Sequence, residues 1–129
     1  MVRPKSKELT DRELEVMRVF WEEGEATAEE ARHRLEATGI PLAYVTVANV
    51  VRQLESKGFL NQKNDQRPFI YIAKRSFEDV SSRILGNMLQ KLFGGSREKL
   101  LVQLLSKRQL SQQERRFLEE ILEQTGEEQ

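Results

Sequence analysis

Three times in this chain a Thr or Ser stands three residues ahead of a Glu, just before an apolar-periodic stretch: Thr10 and Glu13, Thr27 and Glu30, Ser111 and Glu114. This is the capping-box spacing, in which the two side chains satisfy backbone N–H groups that a helix start leaves orphaned. Glycines follow such stretches at Gly24, Gly39, Gly58 and Gly94-Gly95. Start and stop signals this close together cut the chain into helices of a few turns each. A short helix stays folded mainly by burying an apolar stripe against something else. The chain must therefore pack several short helices on one another.

The first helix runs from Thr10 to near Gly24, with Leu14, Met17, Phe20 and Trp21 as its stripe and Val16 and Val19 widening one flank. Leu9 and Leu14 sit at staple positions, and Trp21 reads as core, capping the packing of three helices. The second buries Ala28, Ala31 and Leu35 and stops at Gly39; Pro41 keeps the connection non-helical. The third, over 44–57, has Val47, Val50, Val51 and Leu54 on one side and Gly58 as a left-handed cap. After Gly58 the period changes. Residues 59–63 and 68–72 are two short strand candidates, with turn residues Asn64, Asp65, Gln66 and Arg67 between them. Pro68 lacks an N–H, which suits a two-stranded ribbon with an exposed edge.

Ser76 opens a region of different character. Val80, Ile84, Leu85, Met88, Leu89 and Leu92 form a helix stripe that Gly94-Gly95 ends. Ser96 can cap a helix with Leu100, Leu101, Leu104 and Leu105, and Ser111 one with Phe117, Leu118, Ile121 and Leu122. Residues from Gly126 read as an acidic tail. The expected fold class is mainly α: a winged helix-turn-helix (three helices plus a β-ribbon) over residues 1–75, followed by a C-terminal helical dimerisation region over 76–129. Fifty-four residues are too few to bury that many large apolar side chains internally. A twofold pairing of two copies would cover them.

Total charge is zero, with 21 Lys and Arg against 21 Asp and Glu, which argues against a general polyanion binder. Its distribution is uneven. Residues 1–39 carry seven basic and ten acidic side chains, residues 40–75 six and two, and residues 76–129 eight and nine. No Asp or Glu occurs from Ala37 to Leu54. The polar side of the third helix offers Thr46, Asn49, Arg52 and Gln53 instead. Asn and Gln can pair with adenine N6/N7 and Arg with guanine O6/N7, while an acid would be repelled by phosphates. Thr46 lies in the first turn, where its hydroxyl and free N–H groups can hold a phosphate. Lys63 and Arg67 on the ribbon can reach the adjacent backbone. Tyr44 and Tyr71 fit either a core position or a hydroxyl turned toward phosphate.

The segments LTDRELEVMRVFWEEGEATAEEARHRL, AYVTVANVVRQLESKGFL and RPFIYIAKRS resemble the BlaI/MecI penicillinase repressor family. Its E-x-x-V/I-M-x-x-x-W run is matched from Glu13 to Trp21. Its aromatic-x-Thr-Val helix, closed by Lys-Gly and an apolar residue, is matched at Tyr44, Thr46, Val47, Lys57, Gly58 and Phe59. The GGS segment at 94–96 and LSQQE at 110–114 are similar to its C-terminal region. The resemblance implies a winged helix on DNA, a helical dimerisation region and repression at palindromic operators. Ala48 stands where the family often has a basic residue, and Arg52-Gln53 where it usually has Arg just before the leucine. These departures leave the operator sequence open. Antibiotic-responsive members are cleaved at an Asn-Phe bond. The aligned bond here is Gln103-Leu104, which keeps a regulatory protease as a candidate partner without its usual target. The copper-responsive branch uses C-terminal cysteines, and this chain has no cysteine.

The absence of cysteine also excludes disulfides and thiolate metal sites. His33 is the only histidine, and one histidine without neighbouring ligands makes no zinc site. No nucleophile–base pair or phosphate loop is visible, so no catalytic residue, metal or cofactor is expected. The N-terminus MVRPKSKELT lacks an apolar core and no run approaches a membrane span, so a cytoplasmic protein without membrane contact is expected. The alternative to a homodimeric repressor is a winged helix whose third helix docks on a partner protein.

Overall fold

The computed structural model describes residues 8–106 and 110–127. The polar start over residues 1–7 lies outside them. The chain divides into two compact units between Ser81 and Ser82. The first holds α1 (Asp11–Glu23), β1 (Glu25–Thr27), α2 (Ala28–Ala37), α3 (Tyr44–Ser56), β2 (Leu60–Gln62), β3 (Ile70–Ala73) and the first turn of α4 (Phe77–Phe93). The second holds the rest of α4, α5 (Arg97–Ser106) and α6 (Gln112–Glu127). Three helices and an antiparallel sheet in this order make the first unit a winged helix-turn-helix. Among the described residues no helix is long and apolar enough to cross a membrane.

All three capping boxes form. The Thr10 hydroxyl accepts from Glu13 N–H at 3.1 Å while Glu13 Oε1 accepts from Thr10 N–H at 2.8 Å. Thr27 and Glu30 do the same at 3.1 and 2.9 Å, and Ser111 and Glu114 at 3.1 and 3.0 Å. At the end of α3, Gly58 takes φ 87°, a conformation open to glycine at little cost. The turn lets Phe59 N–H reach back to Leu54 C=O at 2.9 Å and drops the chain straight into β2.

The core of the first unit joins Val16, Met17 and Phe20 of α1, Leu35 of α2, Val47, Val51 and Leu54 of α3, and Leu60 of β2. The buried side of α1 is therefore centred on Glu13, Val16, Met17 and Phe20, one flank over from the expected stripe, and Leu14 and Trp21 are only half-buried. Trp21 packs against this core from its edge. Its indole N–H donates to Arg75 C=O at 2.9 Å, and its ring meets Phe77 edge-on at 5.4 Å. Phe77 and Val80, which is itself buried, thus tie the first turn of α4 to the first unit.

The sheet has three strands in the order β1-β3-β2, all antiparallel. The expected ribbon is its β2–β3 half, but β3 is the central strand. Its far edge is taken by the three residues of β1, with Ala26 opposite Tyr71. Pairing starts at Ile70 rather than at Pro68, which has no N–H to give. The Asn64 side chain organises the loop between the strands: its Oδ1 accepts from Ile70 N–H at 2.8 Å, and its Nδ2 donates to Gln66 and Pro68 carbonyls. In the second unit α6 extends to Glu127, the second residue of the expected tail, and residues 128–129 lie outside the described residues. Ile84, Leu85, Met88, Leu92, Leu101, Leu104, Leu105, Phe117, Leu118, Ile121 and Leu122 are all exposed, whereas Leu89 and Leu100 are half-buried.

One polar group lies inside the first core. Glu13 is only 1% exposed. Its Oε1 accepts from Lys57 Nζ at 2.8 Å, and the same ammonium donates to Glu8 C=O at 3.0 Å. Removing one partner of a buried pair strands the other charge. Lys57→Met should therefore cost about 3 kcal/mol of unfolding free energy by urea denaturation. The pH dependence has a definite sign. Burial pushes the Glu13 carboxyl up, but the hydrogen bond and charge of Lys57, with the bonds from Thr10, outweigh it and hold it below its usual 4.5. A carboxylate held low in the folded state adds stability above its unfolded pKa, and that contribution fades as pH falls through the folded value. Glu13→Gln should flatten the acid limb of the stability curve; an acid limb identical to that of the parent chain would count against the pair.

Candidate nucleic-acid interface

The two sides of α3 differ in chemistry. Val47, Val50, Val51 and Leu54 are buried against the other helices and β2. Tyr44, Val45, Thr46, Asn49, Arg52 and Gln53 are exposed. The helix is preceded by Ala43, which has no side-chain oxygen to cap it, and its first turn carries no acid. By contrast α1 and α2 each begin with a closed capping box and an acidic first turn. The start of α3 thus keeps unsatisfied N–H groups and the positive end of the helix dipole open to solvent.

Ion pairs separate the arginines into two sets. On α2, Arg32 is held by Glu29 at 2.7 Å and Glu36 at 3.0 Å, and Arg34 by Glu23 at 2.6 Å. Among the described residues no carboxylate lies within 4.0 Å of Arg52 or Arg67. Arg67 instead lies over the Phe69 ring, 5.6 Å from its centre. Its charge is not consumed by that contact.

A groove of about 660 Å³ runs between the start of α2, the side of α3 and the wing. It brings together Tyr44, Arg52 and Arg67, which the sequence singled out, with Gln62 and Glu55, which it did not. Thr46, Asn49 and Gln53 are on the exposed side of α3 but do not line the groove. Glu55, the first acid beyond the acid-free run, and Glu29 of α2 also line it, so the groove wall carries two carboxylates although the outer face of α3 carries none. Tyr71 is buried at the back of the groove, whereas Tyr44 is 52% exposed. Burial, then the nearby Glu55, push the Tyr71 hydroxyl up against the smaller opposing effect of Arg52, so it stays protonated at neutral pH.

Lys63 is elsewhere. Lys63 N–H bonds to Ile70 C=O, one step beyond the Gln62–Tyr71 pair. Side chains alternate across a strand. Lys63 therefore belongs to the sheet face of Asn61, Ile70 and Ile72, opposite to Gln62 and Tyr71, which face the groove. There it pairs with Glu25 of β1 at 2.5 Å. Only a sheet register could reveal this, since Glu25 lies 38 residues earlier. His33, the one histidine, is on the outside of α2, 3.8 Å from Glu29.

A sequence profile described as penicillinase repressor matches residues 9–124, across both units. The chain is 26% identical over 118 residues to the methicillin resistance regulatory protein MecI of Mammaliicoccus sciuri, covering 92% of this chain and 95% of that protein. It is 28% identical over 120 residues to the penicillinase repressor of Bacillus licheniformis, covering 93% of each. The solution structure of the DNA binding domain of the repressor BlaI is similar in fold, with a TM-score of 0.50 and 28% identity over 60% of this chain and 93% of that one. The profile reaches from just before α1 into α6, and the relatives align over nearly their whole length: the chain belongs to the penicillinase repressor family.

Proposed function

We propose that this chain is a homodimeric, DNA-binding transcriptional repressor that recognises a palindromic operator. The observation that carries the reading is the outer face of α3: exposed, free of acids, and holding an arginine with no carboxylate partner among the described residues. A helix of this kind fits the major groove. Asn49 and Gln53 offer the donor–acceptor pair that adenine takes, and Arg52 the fork that guanine takes. Thr46 and the uncapped start of α3 hold a phosphate. Arg67 reaches the backbone from the wing, and Lys63 does so by exchanging Glu25 for a phosphate. Membership of a family whose relatives are named as repressors supports the same reading.

The second unit supports the dimer. Its exposed side chains, from Ile84 on α4 to Leu122 on α6, make more apolar surface than a soluble monomer ordinarily carries. A twofold axis through this unit covers it and presents two copies of α3 to the two halves of a palindrome. A regulatory protease acting at Gln103-Leu104 would meet a bond inside α5, where Ser106 Oγ donates to Gln103 C=O. It would have to unwind that turn first.

Three measurements test this reading. Asn49→Ala and Arg52→Ala should each weaken binding to the preferred duplex by ~1–3 kcal/mol while leaving circular dichroism unchanged. Full affinity in both would remove α3 from base recognition. Arg67→Ala and Lys63→Ala should weaken all duplexes alike and lower the log K against log[salt] slope by roughly 0.9 per lost phosphate contact. A changed base preference with an unchanged slope would reassign them. Sedimentation equilibrium should give a dimer for the full chain and a monomer, weak on DNA, for residues 1–81, which retain the buried Val80. A monomeric full chain at micromolar concentration would contradict the dimer.

A further inference from the structure

Every strongly exposed residue on α3 carries a polar group except one. Val45 is 67% exposed, more than any other large apolar residue described in the first unit. It belongs neither to the core nor to the lining of the groove. Nothing local favours it. A β-branched residue is a mediocre helix former, and a serine or an acid would suit the first turn better. Its position is informative instead. Asn49 is four residues on and Arg52 seven, so the three share one stripe.

We propose that Val45 reads the C5-methyl group of a pyrimidine, which in unmodified DNA is thymine. The inference rests on the reading of α3 as the helix that enters the major groove. The thymine methyl is the apolar feature that base pairs present in that groove, and an isopropyl group can meet it but cannot hydrogen-bond to an edge. Val45 thus supplies the apolar element of a readout whose polar elements are Asn49, Arg52 and Gln53. It adds a requirement for thymine that those residues cannot impose.

The test uses the full chain and the duplex that it enriches from a random-sequence pool. Each thymine of that duplex is replaced in turn by deoxyuridine, which removes the methyl and leaves the base edge intact. One thymine in each half-site should prove sensitive, its replacement weakening binding about fourfold, the worth of one buried methyl. In Val45→Ala that sensitivity should vanish, with responses at other thymines unchanged. Alanine is the better helix former, and Val45 is exposed and not part of the core, so the variant should fold. Enrichment of a duplex in which no thymine responds would overturn the Val45 assignment alone. So would a response that persists in Val45→Ala. Failure to enrich any sequence would overturn this assignment together with the DNA-reading role of α3.

Discussion

A single buried carboxylate connects the start of the first helix to the end of the third. Glu13 closes the cap of α1 with one set of bonds and receives Lys57 with another. Lys57 sits at the C-terminal end of α3, where a cation also answers the negative end of that helix. Burying two charges is expensive, and apolar packing could fill the space at less cost. What the pair contributes is geometry. It sets where α3 ends relative to α1, just before Gly58 turns the chain into the sheet. With that end fixed and the Val47, Val50, Val51 and Leu54 side packed down, the angle at which the other side meets a ligand is fixed as well.

Charge is allocated around that helix with the same economy. Glu13 and Glu30 are engaged in caps, and Glu15, Glu23, Glu29 and Glu36 in pairs with Arg12, Arg34 and Arg32. Among the described residues, the positive charge that remains without an acid partner includes Arg52 on α3 and Arg67 on the wing. Zero net charge on the chain is therefore no guide to the field at its surface. Lys63 shows the opposite case: a lysine in a basic segment whose charge is already matched by Glu25 on the outer sheet face. The proposed phosphate contact at Lys63 starts from a broken pair, and that at Arg67 does not.

The sequence made the helices legible because their signals are local. Thr10, Thr27 and Ser111 each find their Glu three residues away, and Gly58 marks its turn by itself. What depends on distant pairing was hidden. β1 is only three residues long, too short for a period, and exists because β3 accepts it on an open edge. The inner side of α1 was misjudged by one flank because Glu13, a charged residue, lies at its centre. A carboxylate counts as solvent-facing until Lys57 is known to meet it. Trp21 is legible as a residue packed on the core, but its contacts with Arg75 and Phe77 are not, because these come more than fifty residues later. At the candidate interface the polar residues of α3 were legible from the helical period. The groove was not, since Gln62 and Glu55 join it only through the sheet register and the packing of α3.

The central claim is that α3 enters the major groove, twice, through a twofold pair. Dimethyl sulfate protection on the enriched duplex tests it most directly, because it attacks guanine N7 in the major groove and adenine N3 in the minor groove. The account requires protected guanine N7 positions in two patches related by the palindrome, about one helical turn or a multiple of it apart, with adenine N3 still reactive between them. Protection of adenine N3 with guanine N7 left reactive throughout would contradict it.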